Sequence, residues 1–286
     1  MILYEVYSNL YIGCFKGFLH EIKEKTHKIT HLIGLISFNN RTKLLGYRSL
    51  FFEINDESDE NIIQYFPESI RFIEECFNMD SKNKMLIFCQ AGISRSTTIV
   101  GAYLMQRLKI SKEEAILYIK KVHPDAEPNP GFMEQLQLFH DCNYVLNQEM
   151  KLYRQWLLKH KIYSSLQDKK VPEISLYSQD ESIQNGQIHL RCKKCRLVLA
   201  NSNYIIDHQP QQSFIQCTHF FLEPLAWMKN ELDNGNIEGK LNCPKCSSRI
   251  GKYAWQGMSC SCKKWVTPAL SIQKSKIDVI KKELTK

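Results

Sequence analysis

Apolar and polar positions alternate from Tyr4 to Ile12 around a polar break at Ser8-Asn9, which predicts an opening pair of strands. Gly13 to Lys25 predicts a first helix. Ile29 to Ser37 and Tyr47 to Ile54 predict two apolar strands, the second ending in the polar cluster Asn55-Asp56-Glu57-Ser58-Asp59-Glu60-Asn61. The helical spacing of Ile62, Ile63, Phe66, Ile70, Phe72, Ile73 and Cys76 predicts a helix that runs to Asn78. Met85 to Phe88 is a short continuous apolar run, the mark of a strand buried on both faces. Ser96 to Met105 is small or apolar throughout but too long for a strand, so a central helix is expected. Ser111 with Glu114 forms a capping-box pattern that opens a helix from Lys112 to Val122. After the break at Pro128-Asn129-Pro130-Gly131-Phe132, a last helix is expected from Met133 to about Leu158. Strands alternating with helices imply an α/β fold, a sheet flanked by helices.

The pattern then changes. Tyr163 to Glu181 is polar and poorly periodic, and reads as a linker. From Leu190, short β-prone stretches around Trp255, Trp265 and Ile272 alternate with close cysteine pairs, which predicts a small, mostly β domain. Phe220 to Leu232 reads as partly helical, with its apolar stripe in the core. The expected organisation is a first domain over 1–160, a linker over 161–188 and a second domain over 189–286. A length of 286 residues suits two domains. No apolar run reaches about 18 residues, so no membrane-spanning helix is expected, and Met1 to Gly13 lacks the pattern of a secretory signal.

Cysteine placement changes the picture most. Cys14, Cys76, Cys89 and Cys142 are scattered, whereas seven cysteines crowd between Cys192 and Cys262. Close pairs in a chain without a secretion signal read as metal ligands rather than disulfides, which suits a reducing compartment, cytoplasm or nucleus. Cys192 with Cys195, Cys243 with Cys246, and Cys260 with Cys262 are three such pairs. His208 and Cys217 bring the set to eight, enough for two tetrahedral structural zinc sites, with His219 as a rival to His208. Four protein ligands leave no open position, so these ions would hold the fold, and no catalytic metal is expected. Charge is divided as well. Residues 180–286 carry 16 Lys/Arg against 9 Asp/Glu, +7 of the total +8. Seven thiolates offset by two dications would lower that to about +4, which suits an RNA-rich or acidic partner.

The candidate chemistry lies between the buried strand and the central helix. Cys89 is followed by Gln90, Ala91, Gly92, Ile93 and Ser94, then by Arg95 and Ser96. A strand, a tight loop and a helix N-terminus build an anion cradle from backbone N–H groups. There the positive field favours a thiolate nucleophile at Cys89. Arg95 can fork two donors onto a phosphoryl group, and Ser96 can donate to the thiolate as it leaves. A cysteine and an arginine at this spacing also fit a buried structural thiol beside a capping arginine. Gly92, Ser96, the buried strand and the buried helix turn the reading toward chemistry. Protonating a leaving oxygen needs a carboxyl on a neighbouring loop, for which Asp56, Glu57, Asp59 and Glu60 all qualify.

These residues resemble the cysteine-dependent protein tyrosine phosphatases, in their dual-specificity branch, whose loop reads H-C-x-x-G-x-x-R-[ST]. The resemblance implies a phosphocysteine intermediate, a phosphoprotein substrate carrying phosphotyrosine or phosphoserine/phosphothreonine, and Asp56 as the acid. Phe88 departs from the pattern, standing where the family has histidine, so a sluggish enzyme is expected and Phe88→His would raise activity. Tyr7 to Gly13, Glu114-Ala115 and Pro128 to Phe132 with Gln135-Leu136 resemble the family's opening strands and closing helices. Further on, Cys192-Lys-Lys-Cys195, Ile206-Asp-His208, Gln216-Cys217, Glu223-Pro224, Trp227-Met228, Cys243-Pro-Lys-Cys246, Cys260-Ser-Cys262 and Trp265 to Pro268 narrow the likeness. They resemble the phosphatases with a C-terminal zinc-binding domain, the family of dual-specificity phosphatase twelve and its fungal counterpart. That resemblance implies a role in late assembly of the large ribosomal subunit, where the zinc domain helps displace a stalk placeholder protein. The partner it implies is the pre-60S particle, RNA and protein, met through the basic zinc domain in cytoplasm and nucleus. Lys263 stands where relatives often carry glycine.

Overall fold

The structure, a computed structural model, describes residues 3–36, 46–167, 170, 172, 188–208 and 217–281. The chain divides into two units, Met1–Leu152 and Tyr153–Lys286.

The first unit is built on a five-stranded sheet. Its strands are β1 (Tyr4–Tyr7), β2 (Leu10–Cys14), β3 (His31–Leu35), β4 (Arg48–Phe52) and β5 (Met85–Cys89), in the order β1-β2-β5-β3-β4. β1 turns into β2 as an antiparallel hairpin through Asn9, whose φ of 60° is the left-handed conformation asparagine tolerates. The other neighbours pair in parallel, which places β5 between β2 and β3. Every residue of β5 is buried, as its unbroken apolar run predicted.

The helices are α1 (Phe15–Glu24), α2 (Phe66–Met79), α3 (Arg95–Leu108), α4 (Lys112–Lys120) and α5 (Pro130–Asp141). α3 packs against β5 and is flanked by α2, α4 and α5, so its Ser96 to Met105 stretch is buried on every side. The capping box of Ser111 and Glu114 forms as expected, each side chain bonding the other's backbone N–H. The predicted helix from Met133 to Leu158 is two helices. Asn143 and Tyr144 take positive φ and end the first, and α6 (Lys151–Gln167) begins afresh.

That second helix also corrects the domain boundary. Residues 161–167, expected in the linker, are the last turns of α6, and most of the remaining linker lies outside the described residues. Leu158 and Ile162 pack into the core of the second unit. The Arg154 guanidinium clasps Glu223, which is 2% exposed, with Nη2 3.1 Å from Oε1. A buried carboxylate needs such a partner, so the pair ties α6 to the second unit.

The second unit holds β6 (Ile188–Cys192), β7 (Val198–Asn201), β8 (Ile205–Ile206), β9 (His219–Leu222), β10 (Glu238–Asn242), β11 (Arg249–Ala254), β12 (Met258–Ser259), β13 (Trp265–Val266), β14 (Ala269–Gln273) and β15 (Ile277–Lys281). They form sheets ordered β10-β11-β14-β9-β8, β15-β6-β7 and β12-β13. Phe220 and Phe221 lie in β9; the expected helix is confined to a 3₁₀ turn (Ala226–Met228) and the short α7 (Lys229–Leu232). Of that stripe, Phe221, Leu225, Met228 and Leu232 are buried, and Trp227 is half-buried against the core. Trp255 is fully buried, whereas Trp265 is largely exposed. No helix among the described residues is long and apolar enough to cross a membrane.

Candidate active site and metal centres

β5 ends at Cys89, and the chain closes a loop from Gln90 to Ser94 before α3 starts at Arg95. Gly92 sits at φ +79°, and a Cβ there would lie 2.8 Å from the Gly13 carbonyl group, so only glycine closes the turn against β2. Cys89 is fully buried, its Sγ accepting from the Gly92 N–H at 3.2 Å and lying 3.3 Å from Ser96 Oγ. Gln90, Ala91 and Ile93 are exposed, and Ser94 and Ser96 are buried.

Ser94 is the N-cap residue of α3 but caps nothing with its side chain. Its hydroxyl donates instead to Asp56 Oδ1 at 2.6 Å, leaving the helix N-terminus free to face an anion. Asn129 Nδ2 donates to the same oxygen at 2.9 Å. The other oxygen, Oδ2, lies 3.7 Å from Arg95 Nε. Arg95 Nη1 is held by the Ile54 carbonyl at 2.9 Å, which aims the fork across the loop.

Four acidic residues stood level on chemistry, and geometry separates them. Glu60 turns away to Asn55, whose Nδ2 donates to its Oε1 at 3.0 Å. Glu57 and Asp59 are exposed side chains of the acidic loop. Asp56 alone among the four is joined to both Ser94 and Arg95. The loop itself is fastened from α5: Gln135 bonds Glu60 O at 2.8 Å and Ile63 N at 2.9 Å. At Gly131 a Cβ would lie 1.8 Å from Ser58 O, so the acidic loop rests directly on this helix start. The Pro128 to Phe132 motif is therefore the anchor of the acidic loop. The sequence marked it as a break before the last helix and, by resemblance, as part of the closing helices.

Phe88 has a packing reason. Its cross-strand neighbours are Gly13 and Gly34, and the missing side chain of Gly34, where a Cβ would lie 3.0 Å from the ring, leaves it room. The ring stacks on Phe18 at 4.1 Å and 8°, inside an apolar cluster with Leu86 and Leu32. An imidazole there would be buried among hydrocarbons, which costs about 1–3 kcal/mol unless it finds a hydrogen bond. The structure thus sets a stability cost against the gain in activity expected of Phe88→His. A histidine does reach the loop from elsewhere: His123 Nε2 lies 2.9 Å from Gly92 O. No local pattern marked His123, which is 31 residues from its partner.

The eight predicted metal ligands fall into two groups: Cys192, Cys195, Cys243 and Cys246; and His208, Cys217, Cys260 and Cys262. Within each, the ligand atoms lie within 4.8 Å of one another. The order is interleaved, first with third and second with fourth along the chain, which sequence spacing had left open. His208, 3.3 Å from Cys217 Sγ, is in the second group, and His219 is in neither. Cys192 Sγ to Cys246 Sγ is 3.8 Å and Cys195 Sγ to Cys243 Sγ is 3.5 Å. Thiolates at about 2.3 Å from a tetrahedral zinc lie about 3.8 Å apart, so the first group matches such an ion.

Electrostatics points the same way. Burial pushes the Cys243 thiol up to about 12, with Cys195 and Cys246 adding to the rise. Cys246 is drawn down to about 6, chiefly by the Ser248 hydroxyl at 3.0 Å. Burial likewise raises Cys217 to about 12. Crowded thiols cannot all ionise unaided, and a dication removes that conflict. Each cysteine knuckle ends on a residue of positive φ directly after its second cysteine: Arg196, Ser247 and Lys263. Lys263, at φ 68°, therefore occupies a place that suits glycine.

A largely parallel sheet that delivers a buried cysteine into an amide-lined loop, with an arginine at the helix start, defines a cysteine-dependent phosphatase. Comparison with known proteins agrees. The family model for the dual specificity phosphatase catalytic domain matches residues 10–142. Tyrosine-protein phosphatase yvh1 of Schizosaccharomyces pombe is 40% identical over 284 residues, spanning 98% of this chain and 86% of that protein. Human dual specificity protein phosphatase 12 is 30% identical over 256 residues, spanning 81% and 74%. The solved Yvh1 phosphatase domain of Chaetomium thermophilum is 27% identical, covering 51% of this chain and 99% of that one, with a TM-score of 0.46. The chain belongs to the dual-specificity phosphatase family, in the group of Yvh1 and dual specificity phosphatase 12.

Proposed function

We propose that this phosphatase hydrolyses phosphotyrosine and phosphoserine or phosphothreonine through a phosphocysteine on Cys89, with Asp56 as acid. The observation that carries this is Asp56 Oδ1 held by Ser94 and Asn129 while Oδ2 faces Arg95, whose N-cap loop cradles the Cys89 sulfur. Cys89 Sγ attacks phosphorus as the bond to the leaving oxygen breaks. Asp56, protonated on Oδ2, gives its proton to that oxygen. Arg95 and the N–H groups of Gln90 to Arg95 bear the charge on the transferring oxygens. Water then attacks the phosphocysteine and gives a proton to the Asp56 carboxylate. The S–P bond breaks, Ser96 Oγ donates to the departing thiolate, and inorganic phosphate leaves.

Asp56→Asn separates the acid from the rest. Turnover of phenyl phosphate, a poor leaving group, is expected to fall about 10²- to 10⁴-fold. Dinitrophenyl phosphate, whose leaving group needs no proton, is expected to lose far less. An equal loss on both substrates would remove Asp56 from this role.

For the second unit, we infer two structural zinc ions and a role in large-subunit assembly in cytoplasm and nucleus, through contact with the RNA and protein of the pre-60S particle. The family resemblance supports this, as does the basic balance of residues 180–286, +7 before metal binding and about +4 with seven thiolates and two dications. A complementation pair tests it. Cys89→Ser is expected to sustain large-subunit assembly, and the double variant Cys243→Ser with Cys246→Ser is expected to fail. The reverse outcome would make catalysis the cellular role and the zinc unit an accessory.

A further inference from the structure

The phosphate loop presents its N–H groups inward only if its carbonyls point outward, because a trans peptide sets C=O and N–H in opposite directions. Three carbonyls of this loop are drawn outward. Gln90 O accepts from Phe15 N at 3.3 Å and Ile93 O from Glu127 N at 3.0 Å. Gly92 O is met by His123 Nε2 at 2.9 Å. The first two donors are backbone groups that almost any residue could supply. The third is a side chain, and so depends on the residue present.

We propose that His123 is a positioning residue for the phosphate loop, acting through Gly92 O to aim the Ile93 N–H at the phosphoryl oxygens. A carbonyl can only accept, so the Nε2 of His123 carries the proton. The ring is 5% exposed, and it stacks on Tyr4 at 4.2 Å between ring centres, 17° from parallel. Its Nδ1 has no hydrogen-bond partner among the described residues, so Gly92 O is its one hydrogen bond there. Ring and loop are thus fixed by stacking on one side and a single bond on the other. The Gly92–Ile93 peptide is the unit held. The Gly92 N–H that reaches Cys89 belongs to the peptide before it, so aiming the Ile93 donor and holding the thiol are separable. In the dual-specificity pattern the histidine precedes the cysteine; here that place is Phe88, and the imidazole comes from the segment between α4 and α5.

The proposal rests on the phosphoryl-binding reading of the loop, and tungstate serves as the probe in the full-length protein. His123→Phe keeps a ring to stack on Tyr4 and removes the donor. It is expected to weaken tungstate affinity and lower kcat/KM by about tenfold or more, as loss of an aimed oxyanion donor does. Alkylation of Cys89 by neutral iodoacetamide should keep its rate. His123→Gln, whose amide reaches about as far as Nε2, is expected to recover most of the affinity. Wild-type affinity in the Phe variant, equal loss in both variants, or parallel loss of alkylation would each overturn the proposal. Nitrogen-15 NMR of the wild type gives a test that no folding defect can cloud, since a His123 proton found on Nδ1 and not on Nε2 would also overturn it. Failure of the wild type to bind tungstate would instead reject the underlying reading of the loop.

Discussion

Cys89→Ser is expected to reduce turnover of any aryl phosphate by on the order of 10⁴-fold or more, while leaving tungstate affinity within a few-fold. The nucleophile is the only group in this site that forms and breaks a bond to phosphorus. Losing it removes the two-step route altogether. The cradle survives, because Gly92 φ, the contacts of Gly92 with Gly13 and the Ser94–Asp56 bond do not depend on sulfur. Steady-state kinetics with tungstate titration reads both quantities, and wild-type turnover in the serine variant would refute Cys89 as nucleophile.

Metal removal should have the largest effect on stability. The second unit is three small sheets joined around two clusters of four ligands, and its cysteines Cys192, Cys243, Cys260 and Cys262 are themselves core residues. Structural zinc contributes apparent energies of about 10–16 kcal/mol in small domains, as much as the whole net stability of about 5–15 kcal/mol that a domain retains. About two zinc equivalents per chain are expected, and chelation should melt the second unit. The sheet around β5 holds its own core and should keep its tungstate affinity. Elemental analysis without zinc, in protein purified free of chelators, would refute the assignment. Cooperative loss of both units on chelation would refute their independence.

Much of the candidate active site was legible because its parts are contiguous. A buried strand, a cysteine, a glycine-containing loop and an arginine at a helix start lie within about a dozen residues, and each constrains the next locally. The candidate metal ligands were legible for a related reason: three cysteine pairs, each with one or two residues between, put thiols close enough to share an ion before any folding. The packing around Phe88 was not legible, since Gly34 comes from another strand and only the register shows the space that the ring fills. The α5–α6 break was missed because Asn143 and Tyr144 adopt positive φ with neither glycine nor proline to announce it. The linker's first residues were assigned as polar coil although Ile162 is buried, since one apolar residue per turn makes a weak pattern.

By itself the sequence determined the candidate nucleophile, the arginine, the loop that joins them, eight candidate metal ligands and the presence of two units. Those follow from local periodicity and close spacing, where a residue's partners lie within a turn or two of chain. Chemistry left four carboxyls level and the family resemblance pointed to Asp56; the tertiary structure joins Asp56 to Ser94, Arg95 and Asn129, up to 73 residues away. It also decided that the candidate metal ligands interleave, bringing Cys192 and Cys195 to Cys243 and Cys246, and His208 and Cys217 to Cys260 and Cys262. Contacts of that kind depend on sheet order and register, which emerge when the whole core packs and leave no mark on any short stretch of sequence.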